Sequence, residues 1–139
     1  MKNFMDFYKA ELDKVNALMG NSAFSRGVAA YAVEITYNYN IIFTGNETPE
    51  ELEKKCLNGA RDWYHYAQGG CALAADYDIA SRLCTPSELK AGRRPAAIVR
   101  KCGNNAPWID AEGEACRMAF NRIKKAFKRA QKELEANNG

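Results

Sequence analysis

WIDAEGEACRMAFNRIKKAFKRAQKELEA, residues 108–136, decides the fold class. Ile109, Cys116, Ala119, Phe120, Ile123, Phe127, Ala130 and Leu134 recur at the steps that stack side chains along one side of a helix. The positions between them carry Arg117, Arg122, Lys124, Lys125, Lys128, Arg129 and Lys132. A long helix with such a stripe must bury it, and the segments upstream read as helices able to do so.

Working back from that helix, residues 93–107 (RRPAAIVRKCGNNAP) hold Pro, Gly and paired Asn without a sustained period, and read as a long basic loop with one turn. Thr85-Pro86-Ser87-Glu88 is a helix start: Thr caps the first N–H groups, Pro suits the first turn, and Glu closes a capping box. It opens one or two turns that end near Gly92. Thr48-Pro49-Glu50-Glu51 repeats the signal and begins a helix whose face is Leu52, Cys56, Ala60, Trp63 and Ala67, ending at Gly69-Gly70. A shorter helix over about 73–83 presents Leu73, Ile79, Ala80 and Leu83 to the core. Nearer the start, Phe4, Phe7, Tyr8, Leu12, Val15, Leu18 and Met19 define a helix over 3–19 that Gly20 stops, and Asn21 or Ser22 caps the next. That second helix runs from Ala23 to Ile42; its β-branched and aromatic end, ITYNYNIIF, competes as a strand, but the helical stripe continues into it. The expected fold is all-α: one domain over residues 1–139, a bundle of five or six helices.

A chain of 139 residues is long enough to bury one core. No apolar run approaches the roughly 20 residues that span a bilayer, and MKNFMDFYKAELDK has acids where a signal peptide needs an apolar centre, so a cytoplasmic protein is expected. Five cysteines with no CxxC and a single histidine, His65, fit neither a zinc site nor a disulfide scaffold; buried reduced thiols are expected, with no metal and no cofactor. Charge is divided along the chain. Residues 1–89 are net negative, whereas residues 90–132 hold 12 basic and 3 acidic groups, which predicts a positive field at one end of the molecule.

Signatures of catalysis (GxSxG, P-loop, GxGxxG, HExxH) are missing. His65 and Cys71 are near in sequence, but nothing suggests an orienting third group, and no enzyme is expected. Asp76-x-Asp78 suits a cation less well than it suits helix architecture, with Asp76 near a helix start and Asp78 paired to Arg82 at i,i+4. Recognition is better supported. Trp63, Tyr64, His65 and Tyr66 cannot all face a core from one helix, so some rings must reach a surface or cleft. Rings beside guanidinium groups suit a nucleotide: Trp63, His65 and Tyr66 for the base, Asp76 and Asp78 for ribose or exocyclic amines, and Arg82, Arg93 and Arg94 for phosphate. The competing assignment makes Trp63 and Tyr66 helix-packing anchors. The cations of the last helix, Arg117, Lys124, Lys125, Lys128 and Arg129 among them, read as a solvated face or as a surface for nucleic acid or a protein partner, without a helix-turn-helix to read sequence. Phe4, Phe7 and Tyr8 exceed what a small bundle covers easily, which predicts a homodimer.

Residues 63–90, WYHYAQGGCALAADYDIASRLCTPSELK, together with SRGVAAYAVE from Ser25 and the Trp108-Ile109-Asp110 helix start, resemble a family of small proteins from phages, prophages and conjugative elements of Firmicutes. The chain departs from that pattern at PAAIVRKCGNNAP, residues 95–107. The resemblance implies a setting and no activity. In that setting it implies an anti-defence protein of the infected or host bacterium that acts by stoichiometric binding, sequestering an anionic nucleotide-type immune signal. The alternatives are an anti-CRISPR-like inhibitor that docks on a host nuclease or other defence protein, and a non-specific nucleic-acid-binding protein.

Overall fold

A computed structural model describes residues 3–37, 41–56 and 72–138. All of its regular structure is helical, with no strand among the described residues: α1 (Phe4–Leu18), α2 (Ala23–Tyr37), α3 (helical over 49–56), α4 (Ala72–Leu83), α5 (Pro86–Ala91), α6 (Ala96–Cys102) and α7 (Trp108–Asn138). The expected all-α bundle is the observed one, and α7 is its axis, with α1, α2, α4 and α6 packed on it.

Asn3 and Asp6 cap α1 reciprocally, and Gly20, at φ +104°, turns the chain out of it. Ser22 Oγ accepts from the Ser25 N–H to start α2. Both Thr-Pro starts behave as read: Thr48 and Glu51 exchange cap bonds, as do Thr85 and Glu88, and Gly92 closes α5 in the left-handed conformation. Two boundaries differ from expectation. The helix from Ala23 is described to Tyr37 and is over by Ile41, where Phe43 drops into the core instead of prolonging the helical stripe. Residues 96–102, read as loop, form α6, which buries Ile98.

The core is continuous along α7. Ala115, Cys116, Ala119, Ile123, Ala126, Phe127 and Ala130 meet Phe4, Tyr8, Leu12 and Val15 of α1 and Val28, Tyr31, Ala32 and Ile35 of α2. Phe4 and Tyr8 are covered within the chain and Phe7 packs against the same core, while Leu18 and Met19, which the sequence pattern set on the same apolar side, are exposed at the end of α1. Ser25 faces Arg122 and Tyr31 faces Glu112, an inverted order that makes α2 and α7 antiparallel. Gly27 lets α2 and α4 touch: a Cβ there would lie 2.5 Å from the Arg82 carbonyl oxygen.

The link between α2 and α3 is organised by Glu47. Its carboxylate, 2% exposed, accepts from the Thr44 and Gly45 N–H groups, from Thr44 Oγ1 and from Lys55 Nζ at 2.6 Å. Burial raises its pKa, but Lys55 and the backbone donors outweigh that and hold it at about 2, against 4.5 for an ordinary glutamate. The folded state therefore takes up this proton less readily than the unfolded chain. The stability it contributes is complete above the unfolded value and is lost as pH falls from about 4.5 towards 2. In acid titrations followed by circular dichroism, Glu47→Gln should remove roughly 2–3 kcal/mol of the fall in stability between pH 5 and pH 2. An unchanged acid profile would contradict this.

Candidate functional site

Tertiary structure divides the candidate residues into those already engaged and those left open. Arg82 belongs to the first group. Its guanidinium forms a two-pronged bond to Glu34 of α2, at 2.5 and 2.8 Å, and lies 4.7 Å from the centre of the Tyr31 ring. Burial would lower its pKa, but the Glu34 bonds outweigh it and the net shift is upward. The expected i,i+4 pairing with Asp78 is thus replaced by a contact to α2, because the Gly27 close approach brings Arg82 within reach of a better-placed carboxylate. Tyr31 passes the network on to buried Glu112 of α7, its hydroxyl donating at 2.9 Å. Burial, and next the Glu112 charge, push the Tyr31 pKa up, so the phenol stays protonated.

Asp76 and Asp78 are both exposed on α4, with Tyr77 exposed between them. Residues two apart on a helix point in nearly opposite directions, so the two carboxylates do not converge on one ligand. Asp76 is the fifth residue of α4, beyond the first turn where it was expected to favour the dipole. Trp63, His65, Tyr66 and Cys71 lie outside the described residues. Among those described, no three His, Cys, Asp or Glu side chains gather as a metal site. The described thiols are all shifted upward, burial being the largest cause: Cys56 to about 12, Cys84 to about 11, Cys102 and Cys116 in the same direction.

The loop arginines behave differently from each other. Arg94 is fixed: Nε donates to the Ala106 carbonyl at 2.9 Å, a terminal nitrogen to the Gly92 carbonyl, and the guanidinium stacks 4.5 Å from the Trp108 ring centre. It closes α6 back onto the start of α7. Arg93 is exposed, with one long contact of 3.5 Å to Ser87 Oγ.

Along α7 the cations divide by face. Arg129, counted with the basic surface from sequence, instead donates from Nε to buried Glu11 at 2.7 Å. Burial raises the Glu11 pKa, while Arg129 and Lys14 lower it by more. Arg122 is buried and donates to Asn16 Oδ1, the Ser25 carbonyl and Ser25 Oγ, tying α7 to the α1–α2 turn; burial lowers its pKa. Arg117, Lys124, Lys125, Lys128 and Lys132 are exposed. Arg117 sits 3.7 Å from Glu114, and Lys124 lies over the Phe120 ring at 5.0 Å. Among the described residues, Lys124, Lys125, Lys128 and Lys132 have no carboxylate within ion-pair distance. From Arg117 to Lys132 the row extends about 22 Å at 1.5 Å per residue.

Sequence reasoning missed Arg100 and Lys101, both exposed on α6. The Cys102 thiol beside them feels Glu114, Asp110 and Arg117, in keeping with the packing of α6 on α7. The signal for them was the pattern in IVRKC, where apolar Ile98, Val99 and Cys102 flank two cations as on a helix with one buried side. The chain matches no protein family, no curated protein and no solved structure.

Proposed function

We propose that this protein is a stoichiometric binder of nucleic acid, gripping the phosphate backbone with the outward face of α7. The observation that carries the reading is the row Lys124, Lys125, Lys128 and Lys132, exposed and, among the described residues, with no carboxylate within ion-pair distance. Like charges one turn apart repel, at a cost of a few tenths of a kcal/mol per pair, and a polyanion converts that repulsion into attraction through counterion release. Glu11 and Glu34 engage Arg129 and Arg82 inside the fold and so do not pair with the lysines of this face. Phosphate contacts position a protein without reading sequence, so binding should be indifferent to base order.

The nucleotide-sequestering site expected from sequence is weakened by the same geometry, because Arg82 is engaged by Glu34 and the exposed Asp76 and Asp78 point apart. An anti-defence role, suggested by the phage and mobile-element resemblance, fits a small protein that covers nucleic acid and keeps other proteins from it. Fluorescence anisotropy with unrelated duplexes of equal length tests the reading. Affinity should be equal across sequences, and log K should fall with log salt at a slope near −4, the value for about four or five phosphate contacts. A slope near zero, or no binding at 50 mM salt, would sink it.

A further inference from the structure

The turn between α5 and α6 forms one side of a groove of about 350 Å³ lined by Glu88, Arg93, Arg94, Ala96, Val99 and Arg100. Its shape follows from the local sequence. Gly92, at φ +69°, reverses the chain, the Arg93 N–H bonds back to the Glu88 carbonyl, and Pro95 starts α6 at once, so Arg93 and Arg94 emerge opposite the first turns of α6. Arg94 is held still by Trp108, Ala106 and Gly92. Arg93 and Arg100 are exposed, and no carboxylate among the described residues is within ion-pair distance of either. The one acid in the lining, Glu88, accepts the Thr85 N–H at 2.9 Å as the helix cap.

From this we infer that the groove is a binding site for a phosphomonoester. Three guanidinium groups against one carboxylate leave an excess of two positive charges, which matches a dianionic phosphate better than a single carboxylate or a phosphodiester. The planar guanidinium fork donates the paired bonds that two oxygens of a phosphate accept. The cavity lies at the small end of ligand clefts yet holds more than a phosphate, and Ala96 and Val99 offer an apolar wall for a sugar or base. Two ligands share this chemistry: a free mononucleotide and the 5′-phosphorylated end of a strand. The site is separate from the lysine row of α7, and either can fail without the other.

Isothermal titration of the full chain at low salt tests it, with adenosine 5′-monophosphate, adenosine, and a short oligonucleotide with or without a 5′-phosphate. The nucleotide should bind saturably at one per chain and adenosine should not. Arg93→Gln with Arg100→Gln should weaken the nucleotide at least tenfold, while Lys124→Glu, Lys125→Glu and Lys128→Glu together leave it unchanged; circular dichroism confirms that each variant is folded. In that lysine variant, tighter binding of the 5′-phosphorylated strand than of the mononucleotide assigns the strand end, and equal or weaker binding assigns the free nucleotide. Equal nucleotide affinity in the arginine variant, adenosine binding as well as its phosphate, or no binding at millimolar nucleotide would each overturn the site.

Discussion

Lys124→Glu, Lys125→Glu and Lys128→Glu combined should lower affinity for duplex DNA by at least two to three orders of magnitude at 0.1 M salt. Each phosphate contact contributes about 0.9 to the logarithmic salt slope, so at 0.1 M each is worth slightly less than a factor of ten relative to 1 M. Removing three contacts multiplies these factors, and the introduced carboxylates add repulsion. The fold should survive. All three side chains are exposed, none is ion-paired among the described residues, and the one contact given up is that of Lys124 with the Phe120 ring. An exposed cation–π contact is worth about 0.5–1 kcal/mol, so the melting temperature should move by only a few degrees. Binding by the triple variant within threefold of the parent would move the functional surface away from α7.

The contrast between Lys128 and Arg129 shows what periodicity can and cannot assign. Both stand among cations, and the repeat of Ile123, Phe127 and Ala130 places the core face correctly because it rests on many turns of one helix. Residues on the shoulder of that face are decided by partners elsewhere in the chain: Arg129 meets Glu11, and Arg122 meets Asn16 and Ser25. Arg82 follows the same rule, reaching Glu34 on another helix in preference to its own neighbour Asp78. The capped starts at Thr48 and Thr85 were legible because a capping box is complete within four residues. Segment α6 was not, since seven residues give fewer than two turns and Pro95 provides no side-chain cap. The groove was half legible. Arg93 and Arg94 stand together in the sequence, but Arg100 lines the groove with them only because residues 96–102 are helical.

Phe127→Ala should be among the most damaging single changes in the described chain, costing about 3–5 kcal/mol. The ring is 3% exposed and stands edge-on to two others, Phe4 of α1 at 5.1 Å and Phe43 of the α2–α3 link at 5.6 Å; Phe43 in turn meets Tyr8 at 5.0 Å. Removing it therefore opens a cavity between three separate segments rather than at the edge of one. These segments cannot close in easily. Tyr8 is bonded to buried Thr36, the Gly45 carbonyl accepts from Gln131, and a Cβ on Gly45 would already lie 2.7 Å from the Phe4 ring. With total stabilities of roughly 5–15 kcal/mol typical of such domains, the variant should melt about 10 °C or more below the parent, whereas Phe127→Leu, which keeps most of the volume, should cost about a third as much. Lys124 and Lys128 are exposed and outside the aromatic cluster, so whatever fraction of Phe127→Ala remains folded should bind nucleic acid with parental affinity. A loss below 1 kcal/mol in chemical denaturation would mean that the aromatic cluster does not hold α1 and the α2–α3 link onto α7.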